Sequence, residues 1–312
     1  PVHIQWTNSP SVIELLKNQE KNGLELLGTP GKGWAVWQGI GVATRQSDVV
    51  ALFDADIRTF TPLYPSRMIL PLLDESFGIS YVKAFYSRLS LENNQLQGRA
   101  TRLFVGPLLA SLQQLVGNGP FLQYLQSFRY PLAGEFAFTK DLAMNLRIPC
   151  DWGLEIGLLS EMQRSQAYNR ICQVDIGDTY DHKHQELSLN SVEEGLSKMS
   201  IDITKTFIRK LAAQGDTFTY NILRTLKATY YRTALDLLEI FHNDAKLNGL
   251  DLNINEEEIA IEMFSNNIIT AGQQFLDNPN QNPLITNWNR VQIAVPEIKK
   301  DLLDIVESDS HI

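Results

Sequence analysis

A short apolar run that ends in two aspartates, Asp54 and Asp56, is the feature that most constrains how this chain can fold. Residues 49–53 carry no polar side chain, which is typical of a parallel strand that is buried on both faces. Ligands of open α/β sheets gather just beyond the carboxyl ends of such strands. We therefore predict an α/β fold in which these two carboxylates lie at the mouth of a site.

Two carboxylates separated by one residue can hold a hard divalent cation, because Mg²⁺ and Mn²⁺ prefer oxygen ligands and leave places for water or phosphate oxygens. The same spacing in an acidic protein is more often a solvated turn. His182 and His184 follow a predicted strand at 172–177 and share a face if the chain is extended there. One of these histidines could complete a metal shell begun by Asp54 and Asp56.

Composition narrows the class of partner. The formal net charge of −9 argues against binding to nucleic acid or to an anionic membrane surface. The two cysteines, Cys150 and Cys172, have no metal-binding spacing, and no stretch approaches the roughly 18 to 20 apolar residues of a membrane span. The first residues also lack the regions of a signal peptide. These features predict a cytoplasmic protein.

Three further stretches place charged side chains where a ligand could bind. Gly31 and Lys32 belong to a glycine-rich stretch before a predicted helix, which is either a tight turn with a solvated lysine or a loop that admits an anion. Arg99 lies at the start of another helix, either as a surface charge or as a partner for a carboxylate or phosphate. Glu155 lies within an apolar run, where it needs a sugar hydroxyl, an arginine, a metal or a structural hydrogen bond.

The rest of the pattern predicts an opening strand at 2–7, a helix after Ser9, and long helices from Ser191 onward. The first long helix is expected to start at a capping box formed by Ser191 and Glu194. Further helices are expected at 219–248, 255–277 and 296–306, with a loop around Trp288. The apolar stripe of the helix at 255–277 could serve a homodimer or pack against the catalytic domain. Glutamates 256–258 are explained by the positive end of that helix dipole.

Seven motifs in one order, within residues 25–190, resemble the glucosyl-3-phosphoglycerate synthases, which are retaining glycosyltransferases of family 81 with a GT-A fold. The motifs are P-G-K-G (Pro30 to Gly33), D-x-D (Asp54 to Asp56), V-K-x-F-Y-x-R (Val82 to Arg88), G-R-x-T (Gly98 to Thr101), P-L-x-G-E-[FY]-A (Pro131 to Ala137), W-G-L-E-I-G-L (Trp152 to Leu158) and Q-V-[DN]-[LI]-G…H (Gln173 to His182).

The resemblance implies a division into a GT-A domain with a mostly parallel sheet at 1–187 and a helical region at 188–312. The family's first strands, with their nucleotide-binding loop, are expected before residue 1. The implied activity is transfer of a hexose, glucose first and mannose as the alternative, from a nucleotide-diphospho-sugar to a small phosphorylated or carboxylate acceptor such as 3-phosphoglycerate or glycerate. The alternative from another class is a GT-A-like binding module without turnover.

The resemblance also implies a role for each candidate residue. The divalent cation, Mg²⁺ or Mn²⁺, is assigned to Asp56 and His182, with Asp54 beside the metal and the donor ribose. The donor contacts are Lys32 and Gly31, and the transferred sugar is assigned to Glu155. The acceptor anion is assigned to Arg99 and Thr101, and His184 stands where the family has an acceptor-binding asparagine. Attack from the leaving-group face is assigned to the backbone near Leu132 and Ala133.

Overall fold

A computed structural model describes residues 2–27, 31–90, 94–177, 180–181, 195–281 and 284–309. The strands within these ranges are β1 (Val49–Leu52), β2 (Tyr81–Phe85), β3 (Leu89–Ser90), β4 (Gln95–Leu96), β5 (Phe136–Thr139) and β6 (Ile171–Asp175). The helices are α1 (Pro10–Lys17), α2 (Lys32–Ala43), α3 (Leu63–Leu73), α4 (Gly106–Val116), α5 (Pro120–Gln126), α6 (Lys140–Asn145), α7 (Leu154–Ser165), α8 (Gly195–Ala212), α9 (Tyr220–Leu247), α10 (Ile254–Asp277), α11 (Trp288–Ala294) and α12 (Ile298–Asp309).

The main sheet has the strand order β1-β5-β2-β6. β5 runs antiparallel to both of its neighbours, whereas β2 and β6 are parallel. β1, β2 and β6 therefore point the same way, with β5 reversed between β1 and β2. The α/β class with a helical C-terminal region is confirmed, and the sheet is mixed because of the reversed strand.

The apolar run at 49–53 is a strand, but the expectation that it is buried on both faces was wrong. All four residues of β1 are half-buried. The reason is its position, since within the described part of the chain β1 has one neighbouring strand and lies at the sheet edge. Its carboxyl end still leads directly to Asp54, as the pattern predicted.

The hydrophobic core runs continuously from the sheet into the C-terminal helices. Trp37 of α2 stacks on Trp288 of α11, with ring centroids 4.3 Å apart, and Trp288 Nε1 donates to the Trp37 carbonyl at 2.7 Å. A Cβ at Gly41 would lie 2.2 Å from the Trp288 ring, so the glycine admits the indole. The division at residues 187 and 188 stays a prediction, and side chains from both parts share one core.

Several local predictions can be compared with the elements. The helix after Ser9, the helix at 219–248 and the helix near 255–277 are confirmed within a few residues. Residues 2–7 form no strand, because an alternating pattern needs a neighbouring strand and none of the described strands pairs with them. Trp288 begins a helix rather than lying in a loop, with Asn287 as its cap. The capping box at Ser191 and Glu194 lies outside the described residues.

Helix α10 packs between α8 and α9. Its stripe residues Ile261, Phe264, Ile268 and Ala271 are fully buried in the core. The stripe is therefore covered within the chain, as the packing alternative had it. In the described ranges no helix has both the length and the apolar character that a membrane crossing requires.

Candidate active site

A cavity of about 410 Å³ opens at the carboxyl end of β1. Its charged and polar wall has two parts. The carboxylate end is formed by Lys32, Asp54, Asp56 and Glu155. The arginine end is formed by Arg88, Gly98, Arg99 and Tyr130. The remaining lining residues are Ala55, Gln97, Ala100, Leu132, Trp152, Leu196, Met199 and Ile203.

Lys32 is the centre of the carboxylate end. Its Nζ lies 3.0 Å from Asp54 Oδ1 and 3.0 Å from Glu155 Oε1. Lys32 is the first residue of α2 and Glu155 lies in the first turn of α7, so two helix N-termini face the strand end. Burial by itself would lower the pKa of Lys32, but the charges of Glu155 and Asp54 outweigh it and raise that pKa. The lysine is therefore a permanent cation in the cavity wall.

The glycines beside Lys32 are required by a close approach of two backbone segments. A Cβ at Gly31 would lie 2.6 Å from the Cys150 carbonyl oxygen, and a Cβ at Gly33 would lie 1.9 Å from that of Pro149. The Trp34 amide donates to the Cys150 carbonyl at 3.0 Å. This contact holds the start of α2 against the segment that leads into α7, and so sets Lys32 opposite Glu155.

A second close approach fixes Asp54. The loop before β5 passes so near that a Cβ at Gly134 would lie 2.4 Å from Asp54 Oδ2. In the same loop Leu132 lines the cavity, whereas Ala133 is fully buried and its carbonyl accepts from Lys83 Nζ at 2.6 Å. Leu132 and Ala133 were expected to act together, but only Leu132 lines the cavity.

A layer of buried polar groups lies beneath the carboxylate end, and sequence reasoning assigned it no role. Burial lowers the pKa of Lys83 to about 8, an effect that Glu155 and Glu135 partly offset. Glu135 is fully buried and accepts hydrogen bonds from the hydroxyls of Tyr86, at 2.7 Å, and Tyr180. Burial and the charge of Asp54 raise the pKa of Glu135. The available signal was a lysine inside an otherwise apolar strand, since such a lysine needs a buried partner.

The arginine end is held by the first turn of α10. Arg99 Nε donates to Glu257 Oε1 at 2.9 Å and Arg99 Nη2 to Glu256 Oε2 at 2.8 Å. Arg102 Nη1 lies 3.0 Å from Glu257 Oε2. Burial lowers the pKa of Arg99, but its bonds to the two glutamates outweigh that effect and raise it. Explaining these glutamates by the helix dipole was incomplete, because two of them also bind arginines.

Comparison with known proteins shows which family has this architecture. No protein-family model matches the chain. The glucosyl-3-phosphoglycerate synthase of Methanococcoides burtonii is 40% identical over 310 residues, which are 99% of this chain and 76% of that protein. The synthase of the same name from Persephonella marina is 39% identical over 311 residues, again 76% of that protein. The chain belongs to the glucosyl-3-phosphoglycerate synthase family.

Solved structures give a weaker likeness. The Mycobacterium tuberculosis glucosyl-3-phosphoglycerate synthase, in complex with Mn²⁺, UDP-glucose and phosphoglyceric acid, aligns with a TM-score of 0.47 and 30% sequence identity. That alignment covers 60% of this chain and 57% of the other. The membership of the glucosyl-3-phosphoglycerate synthase family is carried by the sequence relatives, and it confirms the resemblance drawn from the motifs.

Most of the residues singled out from the sequence line one cavity. Those that line it are Lys32, Asp54, Asp56, Arg99, Leu132 and Glu155. Gly31 packs against the backbone of Cys150 and Asp151, and Ala133 is buried. Thr101 lines a neighbouring cavity, and its Oγ1 has no hydrogen-bond partner among the described residues. His182 and His184 lie outside the described residues. Their assigned roles stay predictions.

Proposed function

We propose that this chain transfers glucose from a nucleotide-diphospho-glucose to 3-phosphoglycerate, with retention of configuration at the sugar carbon. The observation that carries the proposal is one cavity with a carboxylate end and an arginine end, in a chain 40% identical to a protein named glucosyl-3-phosphoglycerate synthase. The bond from the sugar carbon to the diphosphate breaks and a bond to the acceptor hydroxyl oxygen forms, with release of the hydroxyl proton. A donor and an anionic acceptor must therefore lie side by side.

The residues at the carboxylate end fit a divalent cation, Mg²⁺ or Mn²⁺. Asp54 and Asp56 supply hard oxygen ligands at the cavity. Over the described ranges, no group of three or more histidine, cysteine, aspartate or glutamate residues forms a metal cluster. Two protein carboxylates leave coordination places for water and diphosphate oxygens, which is how Mg²⁺ is commonly bound. When bound, the cation would stabilise negative charge on the leaving diphosphate.

The chain's own residues divide the remaining work. Lys32 places a permanent cation where the diphosphate would gain charge, and its fixed position means that little reorganisation is needed during the reaction. Glu155, largely buried and held by Lys32, offers a carboxylate to the sugar hydroxyls. Leu132 brings backbone to the cavity near Asp54, where the leaving-group face is expected.

The arginine end suits the acceptor. Arg99 lines the cavity beside Arg88, whose Nη1 lies 3.4 Å from the Tyr130 hydroxyl. Guanidinium groups bind phosphate and carboxylate oxygens with paired, charge-assisted hydrogen bonds. We assign the anionic groups of 3-phosphoglycerate to this end, with the acceptor hydroxyl directed towards the carboxylate end.

The deciding experiment is a product assay joined to calorimetric titration. The chain is titrated with UDP-glucose, GDP-glucose and GDP-mannose, each with Mn²⁺ and with EDTA, and product is then sought with 3-phosphoglycerate and with glycerate. We expect one glucose donor to bind only with metal and to give an α-linked product, seen by nuclear magnetic resonance. Product from GDP-mannose alone would make the chain a mannosyltransferase, and binding without product would favour a module without turnover.

The metal assignment has its own test. We expect Asp56→Ala to abolish metal-dependent donor binding and to lower turnover by about 1,000-fold, because a hard cation would lose one of two carboxylate ligands in the described part of the site. Asp301→Ala on α12, an exposed position outside the cavity, is the matched control. Unchanged metal dependence in Asp56→Ala would remove Asp56 from the metal site. The expected homodimer and cytoplasmic location belong to this proposal, and sedimentation and cell fractionation would test them.

A further inference from the structure

Three consecutive glutamates at the start of α10 differ in their surroundings. Glu257 is 3% exposed, and its carboxylate lies between Arg99 and Arg102. The side chain of Glu256 is 54% exposed; it pairs with Arg99, and its Oε1 accepts from Asn253 Nδ2 at 3.0 Å. Glu258 is exposed, and no described residue forms an ion pair with it. Glu256 and Glu257 both lie in the first turn of α10, so the difference between these two reflects their contacts rather than the helix dipole.

Through its contacts, Glu257 links Arg102 to Arg99, and Arg99 lines the cavity. Arg102 is fixed from two sides, since its Nε donates to the Gln97 carbonyl at 2.9 Å and its guanidinium lies over the Phe241 ring at 5.1 Å. It donates from Nη2 to Glu257 Oε1 at 3.3 Å. Glu257 in turn accepts from Arg99 Nε at 2.9 Å. Of these two arginines, Arg99 lines the cavity, and its side chain is 27% exposed.

We infer that Glu257 is a positioning residue for the acceptor, and that Glu256 competes with the acceptor for Arg99. The inference rests on the proposed function, in which Arg99 binds the anionic groups of 3-phosphoglycerate. A buried carboxylate held by a second arginine fixes the Arg99 guanidinium through Nε and leaves its outer nitrogens for a ligand. One of those outer nitrogens, Nη2, is taken by the exposed carboxylate of Glu256 at 2.8 Å.

The two glutamates should therefore have opposite effects. Without Glu257 the Arg99 side chain would lose its fixed direction, and an arginine that must be ordered on binding gives weaker affinity. Without the charge of Glu256, an anionic acceptor would meet less repulsion and find Nη2 available. The sign of the effect on acceptor affinity distinguishes positioning from competition, whereas a general loss of folding would weaken every property together.

The experiment measures KM for 3-phosphoglycerate, KM for the donor and kcat in Glu257→Gln, Glu256→Gln and Glu258→Gln. We expect the acceptor KM to rise about tenfold in Glu257→Gln, because a misdirected guanidinium binds poorly, with the donor KM within about twofold of the wild type. We expect the acceptor KM to fall about twofold in Glu256→Gln, since one exposed charge contributes little. Glu258→Gln is the matched control and should leave both KM values unchanged.

Folding and function are kept apart by further measurements. Glu257→Asp retains the charge and should give an acceptor KM between those of the wild type and Glu257→Gln. If Glu257→Gln does not fold, the fall in acceptor KM in Glu256→Gln still tests the inference. Calorimetric binding of 3-phosphoglycerate applies the same comparison without turnover. A wild type that neither binds nor uses the acceptor would overturn the proposed function, whereas an active wild type with equal acceptor KM in all three glutamine variants would overturn this inference.

Discussion

The two ends of the cavity are both built from ion pairs, yet they are held together differently. At the carboxylate end one cation, Lys32, lies between the carboxylates of Asp54 and Glu155, all from the part of the chain before residue 187. At the arginine end one carboxylate, Glu257, lies between Arg99 and Arg102, and its helix comes from the C-terminal region. Arg99 and Glu257 are 158 positions apart in sequence.

Under the proposed function, the difference means that the two substrates depend on different parts of the chain. The excess carboxylate at one end suits a metal and a diphosphate, whereas the excess guanidinium at the other suits a free anion. On the proposed function, the donor-side residues Lys32, Asp54, Asp56 and Glu155 all come from the part of the chain before residue 187. On the same proposal the acceptor side depends on α10, because Glu256 and Glu257 hold Arg99.

Removing Lys32 should break the carboxylate end and leave the arginine end intact. We expect Lys32→Met to lower kcat/KM for the donor by about 100-fold, because the developing charge on the diphosphate loses a fixed cation. The acceptor affinity, measured by calorimetry, should change little. Lys17→Met on α1, an exposed position that does not line the cavity, serves as control. A change in acceptor binding as large as that in donor use would mean that the two ends do not act separately.

A smaller change at the same end tests the fixed position of Asp54. A methyl group at residue 134 would lie 2.4 Å from Asp54 Oδ2, so the carboxylate must move. We expect Gly134→Ala to lower turnover about tenfold, because misplaced catalytic groups lose much of their effect. Gly39→Ala in α2 is the matched control, since a methyl group there meets no atom within 4 Å and Ala favours helix. Equal activity in both variants would show that Asp54 tolerates displacement.

A third effect, on stability rather than on turnover, concerns the buried layer beneath the carboxylate end. The pKa of Lys83 is lowered by burial from 10.5 to about 8, so between these values the unfolded chain binds a proton that the folded chain does not. Stability attributable to Lys83 should therefore rise with pH across that window, by about 1 kcal/mol per pH unit relative to Lys83→Met. Denaturant unfolding at several pH values measures this slope. If the free energy of unfolding varied with pH in the same way in both proteins, the pKa of Lys83 would not be lowered, and its ammonium would be well solvated.

Much of the carboxylate end could be predicted because its signals are local. An apolar strand that ends in two aspartates, and glycines that flank a lysine before a helix, each reflect a constraint within a few residues. The roles of Ala133 and Thr101 could not be separated from those of their neighbours, because a motif does not say which way a backbone group turns. Lys83 was visible as a polar residue in an apolar strand, but its partner is a carbonyl 50 positions away.

By itself the sequence determined the bounds of α9 and α10 within a few residues, the position of the aspartate pair after β1 and the family. These follow from periodicity, capping residues and short motifs, which act over one or two turns of chain. Only the tertiary structure decided that β5 runs reversed beside β1, that Trp288 begins a helix against α2, and that Glu257 holds Arg99. Such contacts join segments far apart in the chain, and their geometry is fixed by how helices pack, which no local pattern records.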